Sequence, residues 1–425
     1  MDDEGTAPAR RVLRRHAENE IREALADTRV VLVNGARQSG KSTLIRQVAR
    51  GEAAEWRDLD APLVRQAALA DPTGFVDFPG MMVIDEIQRV VDLLLSIKVR
   101  VDADPRPGQF LLSGSARVLG LRGLPDALPG RMETIELWPF SQGEIGSEPD
   151  GFIDAVFSVG PDLRHESQVT RPEYAERIVR GGFPEAVVRE NPKRRQRFHD
   201  SYMADLIARD VMQLAEIERT AEMRALIRLL AARNAQLLVA SEIGDAASLP
   251  RTTALRYISL LEEVFLIRQV PAWSGSLVNR ASKTPKVVFT DSGIAANVIG
   301  TDARSLVRPG GAFGPLLEGF VLMELARQLT WSQTRAELFH YRTKDMIEVD
   351  AVLESRQGQV VGVEVKAAST VGTDDFRGLR HLASRVGDDF VAGIVLYTGQ
   401  QTLPFGPRLR AMPVASLWEV QPPAA

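Results

Sequence analysis

The chain has 425 residues, 52 Lys and Arg against 56 Asp and Glu, a formal net charge of −4 and no cysteine. That composition excludes disulfides, thiolate metal centres and a cysteine nucleophile, and the scattered His16, His165, His199, His340 and His381 lack metal-ligand spacing, which argues against a zinc enzyme. The length implies two or three domains, and with no apolar run of signal or membrane-spanning length the expected setting is cytoplasmic, with no membrane contact.

Residues 1–145 alternate strand-like apolar runs with helical patterns, as in an α/β domain with a mainly parallel sheet. The expected strands are Val30 to Asn34, Met81 to Asp85, Gln109 to Gly114 and Thr134 to Leu137. The first runs into Gly35-Ala36-Arg37-Gln38-Ser39-Gly40-Lys41-Ser42-Thr43, which fits G-x-x-x-x-G-K-[ST] between a buried strand and a helix. Gly35 and Gly40 let the backbone amides converge on an anion, the helix start adds its positive end, and Lys41 supplies a mobile charge to the outer phosphates. ATP and Mg²⁺ are the implied ligands. Contacts are expected from Gly35, Arg37, Gln38, Ser39, Gly40, Lys41, Ser42 and Thr43, with the Ser42 hydroxyl on the metal.

Met81-Met82-Val83-Ile84-Asp85-Glu86 has the form of a Walker B strand, in which Asp85 serves the Mg²⁺ shell and Glu86 polarises the attacking water. Ser113 and Ser115, at the end of the next strand, either sense the γ-phosphate or form a plain turn. Transition-state charge calls for a further cation: Arg131 is the first candidate and Arg117 the second, with Arg131 acting from a neighbouring subunit if the protein is a homo-oligomer, for example a ring.

Residues 146–171, rich in Gly, Ser, Pro and Asp, read as a linker, and residues 172–275 as a helical domain broken at Gly181-Gly182-Phe183-Pro184 and near Leu249-Pro250. Leu237 to Ile267 has the rhythm of a helix-turn-helix. Leu255, Ile258 and Leu261 are expected to face its core and Arg251, Thr252, Thr253, Arg256 and Tyr257 to face outward, where Arg251, Thr252, Thr253 and Arg256 would meet DNA; packing against another domain is the alternative. At a sequence pI of about 5.9 any nucleic-acid surface must be a local patch. The basic runs Arg10, Arg11, Arg14, Arg15 and Lys193, Arg194, Arg195, Arg197 are either such patches or solvated helix faces.

Residues 276–425 return to strands, and from Gly314 the order is helix, three strands, helix, strand. Glu318 on the helix, Asp350 on one strand and Glu364-Val365-Lys366 on the next follow the pattern of Mg²⁺-dependent nucleases of the restriction-endonuclease type. There Glu318, Asp350 and Glu364 would bind metal and Lys366 would position or deprotonate water, an exposed ion pair being the alternative.

Together these segments, with Gly181-Gly182-Phe183-Pro184-Glu185, Pro285 to Gly293, Leu317-Glu318 and Glu348-Val349-Asp350, resemble a family of bacterial and archaeal ATPases in which an AAA-type P-loop domain precedes a domain of unknown function, DUF4143. The resemblance implies an α/β multidomain chain: an AAA-like ATPase core, a winged-helix middle domain and a C-terminal domain of restriction-endonuclease-like fold. Val349 stands where the nuclease pattern has Pro. The leading functional expectation is an ATPase that acts on DNA, remodelling or migrating branches in recombination, repair or defence, with a metal-dependent nuclease gated by ATP as a variant. The competing one is an ATP-dependent regulatory switch that binds a protein partner and carries an inactive nuclease fold.

Overall fold

The computed structural model describes residues 12–115, 128–211, 220–276, 278, 280 and 283–423. Its first sheet is parallel, in the order β2-β3-β4-β1-β5, with β1 at Val30–Asn34, β2 at Ala54–Asp58, β3 at Met81–Asp85, β4 at Phe110–Gly114 and β5 at Met132–Glu136. β1 and β4 are buried along their full length, which is why they read as unbroken apolar runs. β2, Ala-Glu-Trp-Arg-Asp, was not anticipated: it is a half-buried edge strand, and edge strands carry a weak apolar signal.

Residues 146–171 are not a loose linker. The helix Phe152–Val159 buries Phe152, Ile153, Ala155 and Val156, and the amides of Asp150 and Gly151 pair with the carbonyls of Trp418 and Val420. Those partners are some 270 residues away in sequence, so local composition could not announce them.

The middle region consists of the helices Arg171–Arg180, Pro184–Val187, Pro192–Asp205, Thr220–Ala232, Ala240–Ala246 and Arg251–Glu263, broken near 181–184 and 249–250 as the sequence suggests. The expected boundary at residue 276 fails. β6 (Ile267–Val270) and β7 (Lys286–Phe289) form one antiparallel pair across it, with Ile267 opposite Phe289. A hairpin cannot be divided between domains without exposing its ladder.

Beyond it the mixed sheet runs β12-β13-β11-β10-β9-β8: β8 Ala336–Arg342, β9 Glu348–Ser355, β10 Val360–Lys366, β11 Phe390–Tyr397, β12 Leu403–Gly406 and β13 Leu409–Pro413. The order helix Phe313–Gln328, β8, β9, β10, helix Arg377–Val386, β11 is the one anticipated. The helix Phe313–Gln328 is apolar around most of its circumference because one continuous core joins it to the middle helices on one side and to the sheet on the other. Among the described residues no helix is long and apolar enough to cross a membrane.

Candidate nucleotide site and a carboxylate cluster

The loop after β1 is shaped by its glycines. A Cβ at Gly35 would lie 2.1 Å from the Leu137 carbonyl oxygen, and Gly40 adopts φ 99° immediately before the helix Lys41–Val48. Gln38 also takes a positive φ, 60°. Lys41 is buried and its Nζ donates to the carbonyls of Gly35 at 3.0 Å and Ala36 at 2.9 Å, while the Ser39 hydroxyl is buried with no partner among the described residues. Ser42 is half-buried and Thr43 exposed at the same helix start. A cradle of this kind fits a triphosphate with its Mg²⁺.

Arg15 braces the loop. Its guanidinium donates to Ser39 O at 2.9 Å, Trp138 O at 2.6 Å and Glu144 Oε1 at 3.0 Å, and lies 4.4 Å from the Phe140 ring centroid. Arg15 is therefore neither a nucleic-acid contact nor part of a solvated face; Arg10 and Arg11 of the same run lie outside the described residues. In the second run Arg195 is buried, with a bond to Arg189 O at 3.0 Å, and only Lys193, Arg194 and Arg197 are exposed.

The tips of β3 and β4 are locked together. The Ser113 hydroxyl donates to Asp85 Oδ1 and accepts from the Glu86 amide at 3.1 Å. The Ser115 hydroxyl donates to Glu86 Oε2 at 3.0 Å and accepts from Gln88 Nε2 at 2.7 Å, and Gln88 Nε2 also donates to Glu86 Oε2. Glu86 sits at φ 60°, a conformation costly for a side-chain-bearing residue and held here by these bonds. The two serines thus belong to the carboxylate network rather than to a simple turn.

Arg131 does not join this group. The Val30 amide donates to Arg131 O, which places Arg131 at the start of β1, a strand length of roughly 13 Å from the loop that follows Asn34. Its guanidinium is paired with Asp102, Nη2 to Oδ2 at 3.1 Å. As a residue acting on its own chain's nucleotide it is ruled out by position; strand-end proximity in sequence does not say which end of the sheet a residue occupies. Arg117 lies outside the described residues.

A cavity of about 200 Å³ opens beside Gly40 and Thr43. Its walls include Val12, Leu13 and Phe140, with Pro184, Glu185 and Val188 contributed by the middle region. In the sequence Gly181-Gly182-Phe183-Pro184-Glu185 interrupts the helical stretch; here its last two residues border the phosphate loop. The same segment is tied down by Asp291, which follows β7 closely: Asp291 Oδ2 accepts the Gly182 amide at 2.7 Å, and a Cβ at Gly181 would meet Asp291 Oδ1 at 2.3 Å.

In the C-terminal region Glu318 and Asp350 do converge, but around an ammonium group. Lys286 Nζ, on β7, is 2.6 Å from Glu318 Oε1, 3.0 Å from Asp350 Oδ1 and 3.0 Å from Glu348 Oε1. Asp350 Oδ2 accepts the Val365 amide at 2.9 Å. Glu364 Oε1 accepts from Lys366 Nζ at 3.0 Å, while Glu364 Oε2 is buried with no hydrogen-bond partner among the described residues. Burial works against the charge on Lys286, but Asp350, Glu318 and Glu348 outweigh it and raise its pKa above the ordinary lysine range. Burial, then the neighbouring Asp350, push Glu318 well above the usual carboxylate range and Glu364 up to about 8. The expected Mg²⁺ shell of Glu318, Asp350 and Glu364 is corrected accordingly: among the described residues no three acidic or histidine side chains are arranged to hold a metal. Lys286 and Glu348 were missed as members of the cluster because Lys286 precedes Glu318 by 32 residues on a separate strand, and no local pattern joins them.

On the helix Arg251–Glu263 the buried positions are Ala254, Tyr257, Ile258 and Leu261, spaced i, i+3, i+4, i+7. Leu255, expected inside, is 41% exposed, and Tyr257, expected outside, is 2% exposed. Counting in threes from Leu255 drifts off a 3.6-residue period. Arg251, Thr252 and Arg256 are exposed and Thr253 is half-buried.

Residues 27–146 match the family described as AAA domain, residues 171–305 a domain of unknown function (DUF8612) and residues 313–417 a domain of unknown function (DUF4143). The chain is 29% identical over 405 residues to uncharacterized proteins of Mycobacterium tuberculosis and Mycobacterium bovis, covering 94% of this chain and 83% of theirs. Among solved structures it is similar to a Walker-type ATPase of Pyrococcus abyssi, at 14% identity and TM-score 0.41 over 66% of this chain and 94% of that one. A second is a signal-transduction ATPase with numerous domains and a tetratricopeptide repeat sensor from Pyrococcus horikoshii, at 11% identity and TM-score 0.21 over 74% of this chain and 45% of that one.

Proposed function

For a chain in which an AAA domain precedes a DUF4143 domain, we propose an ATPase that works as a nucleotide-operated switch, its nucleotide state read by the helical middle region. The observation that carries this is the cavity shared by the phosphate loop and Pro184, Glu185 and Val188: a base seated there would touch the helix that follows the phosphate loop and the middle region at once. The amides of the loop and Lys41 bind the phosphates, Lys41 exchanging neutral carbonyl acceptors for charged oxygens. Ser42 and Asp85 would hold Mg²⁺, which supplies charge neutralisation of the β- and γ-oxygens when bound. Glu86, aimed by Ser115 and Gln88, orients and polarises the attacking water.

Equilibrium binding separates the parts. Val188→Trp fills the cavity and should weaken ATP binding by about ten-fold or more while leaving inorganic triphosphate untouched. Equal loss of both ligands, or of neither, would remove the cavity from the reading.

Action on DNA is the second reading, favoured by the exposed Arg251, Thr252 and Arg256 on a helix followed by a hairpin, an order similar to that of winged-helix modules, ahead of a C-terminal order similar to restriction-endonuclease-like folds. DNA should then stimulate hydrolysis, with affinity falling steeply as salt rises. A homo-oligomer, for instance a ring, is the arrangement in which Arg131 would serve a neighbouring chain's γ-phosphate. Arg131→Ala would then leave ATP binding near normal and collapse turnover.

A further inference from the structure

We infer that Lys286 is the resident cation of the C-terminal carboxylate cluster, and that the DUF4143 domain of this chain is closed to divalent metal while the β6–β7 hairpin is in place. Three acceptors from two elements meet one ammonium: Glu318 from the helix Phe313–Gln328, and Glu348 and Asp350 from the start of β9, at 2.6, 3.0 and 3.0 Å. Three oxygens match the three donors of an ammonium. Mg²⁺ demands six oxygens at about 2.0–2.1 Å in an octahedron, so the ion and Nζ cannot share this space.

The plug comes from outside the domain it closes. Lys286 opens β7, which pairs with β6 of the middle region, and its side chain is 2% exposed. The backbone register of β7, not a mobile surface side chain, therefore sets the position of Nζ. Asp350 is further committed through Oδ2 to the Val365 amide. Lys366, the other basic residue of the pattern, is turned to Glu364 at 3.0 Å and lies 3.8 Å from Asp375. The arrangement is a salt-bridged latch between the middle hairpin and the C-terminal sheet, built on positions that a metal would otherwise claim.

The test is Mn²⁺ uptake by the full-length chain without nucleotide, read from the electron paramagnetic resonance of free Mn²⁺, so that its outcome is independent of the ATP reading. Wild type and K286R should show no uptake that depends on Asp350. Lys286→Met should gain about one ion per chain, lose it again in the double variant with Asp350→Asn, and be stabilised by Mn²⁺ in a thermal melt where wild type is not. Lys286→Gln serves the same purpose should the methionine variant not fold. Asp350-dependent uptake by wild type would overturn the inference, as would a folded Lys286 variant that takes up nothing.

Discussion

Two lysines at the two pattern-rich sites of this chain are both buried and both hydrogen-bonded, yet they are held by different chemistry. Lys41 donates to the carbonyls of Gly35 and Ala36, whereas Lys286 meets the carboxylates of Glu318, Glu348 and Asp350. A bound phosphate offers Lys41 acceptors that are charged and stronger than those carbonyls. Releasing Lys286 would leave three crowded carboxylates with only partial access to water, which is more costly. In the proposed reading the first lysine receives a ligand and the second stands where one would sit.

That contrast can be broken most forcefully at Lys286. Lys286→Ala should destabilise the fold by up to about 3 kcal/mol, because it leaves a half-buried carboxylate cluster without its cation; a urea midpoint within error of wild type would refute the latch. At the other site Lys41→Ala should leave the melting curve nearly unchanged while steady-state ATP turnover falls by about two to three orders of magnitude. Similar thermal losses for both variants would erase the distinction.

Titration sharpens it further. The folded-state pKa of Glu364 is raised from 4.5 to about 8, so the folded chain holds a proton there that the unfolded chain has released. Between those values the folded state binds more protons, and its stability falls as pH rises from about 4.5 to about 8. Glu324, buried beside Arg327 and raised to about 7, adds to the same slope. Glu364→Gln should flatten its part, of order 1–3 kcal/mol, in chemical denaturation at a series of pH values; an unchanged slope would mean the carboxyl is ionised throughout. The smallest expected effect lies on the helix Arg251–Glu263. Leu255→Glu should shift stability by no more than about 0.5 kcal/mol, whereas Tyr257→Ala should cost about 3–5 kcal/mol by opening a cavity.

The site around the phosphate loop was legible because its signals are local. Gly35, Gly40, Lys41, Asp85 and Glu86 lie within or directly beside strands buried enough to show as apolar runs. The edge strand β2 and the helix Phe152–Val159 were not legible, since half-burial and short length leave little pattern to read. The phase of the helix Arg251–Glu263 was misjudged by a small angular drift that its true packing partners would have corrected.

By itself, then, the amino-acid order determined the parallel α/β sheet with its phosphate loop, the helical stretch after it and the element order of the C-terminal sheet, because periodicity and glycine placement act over a few residues. Tertiary structure alone decided that Pro184 and Val188 border the cavity beside the phosphate loop, that Arg131 stands at the far end of β1, and that Lys286 fills the carboxylate cluster. Those are meetings of side chains from separate elements, and a charge pattern along a strand cannot tell whether the cation it awaits is a metal ion or a lysine delivered from elsewhere in the chain.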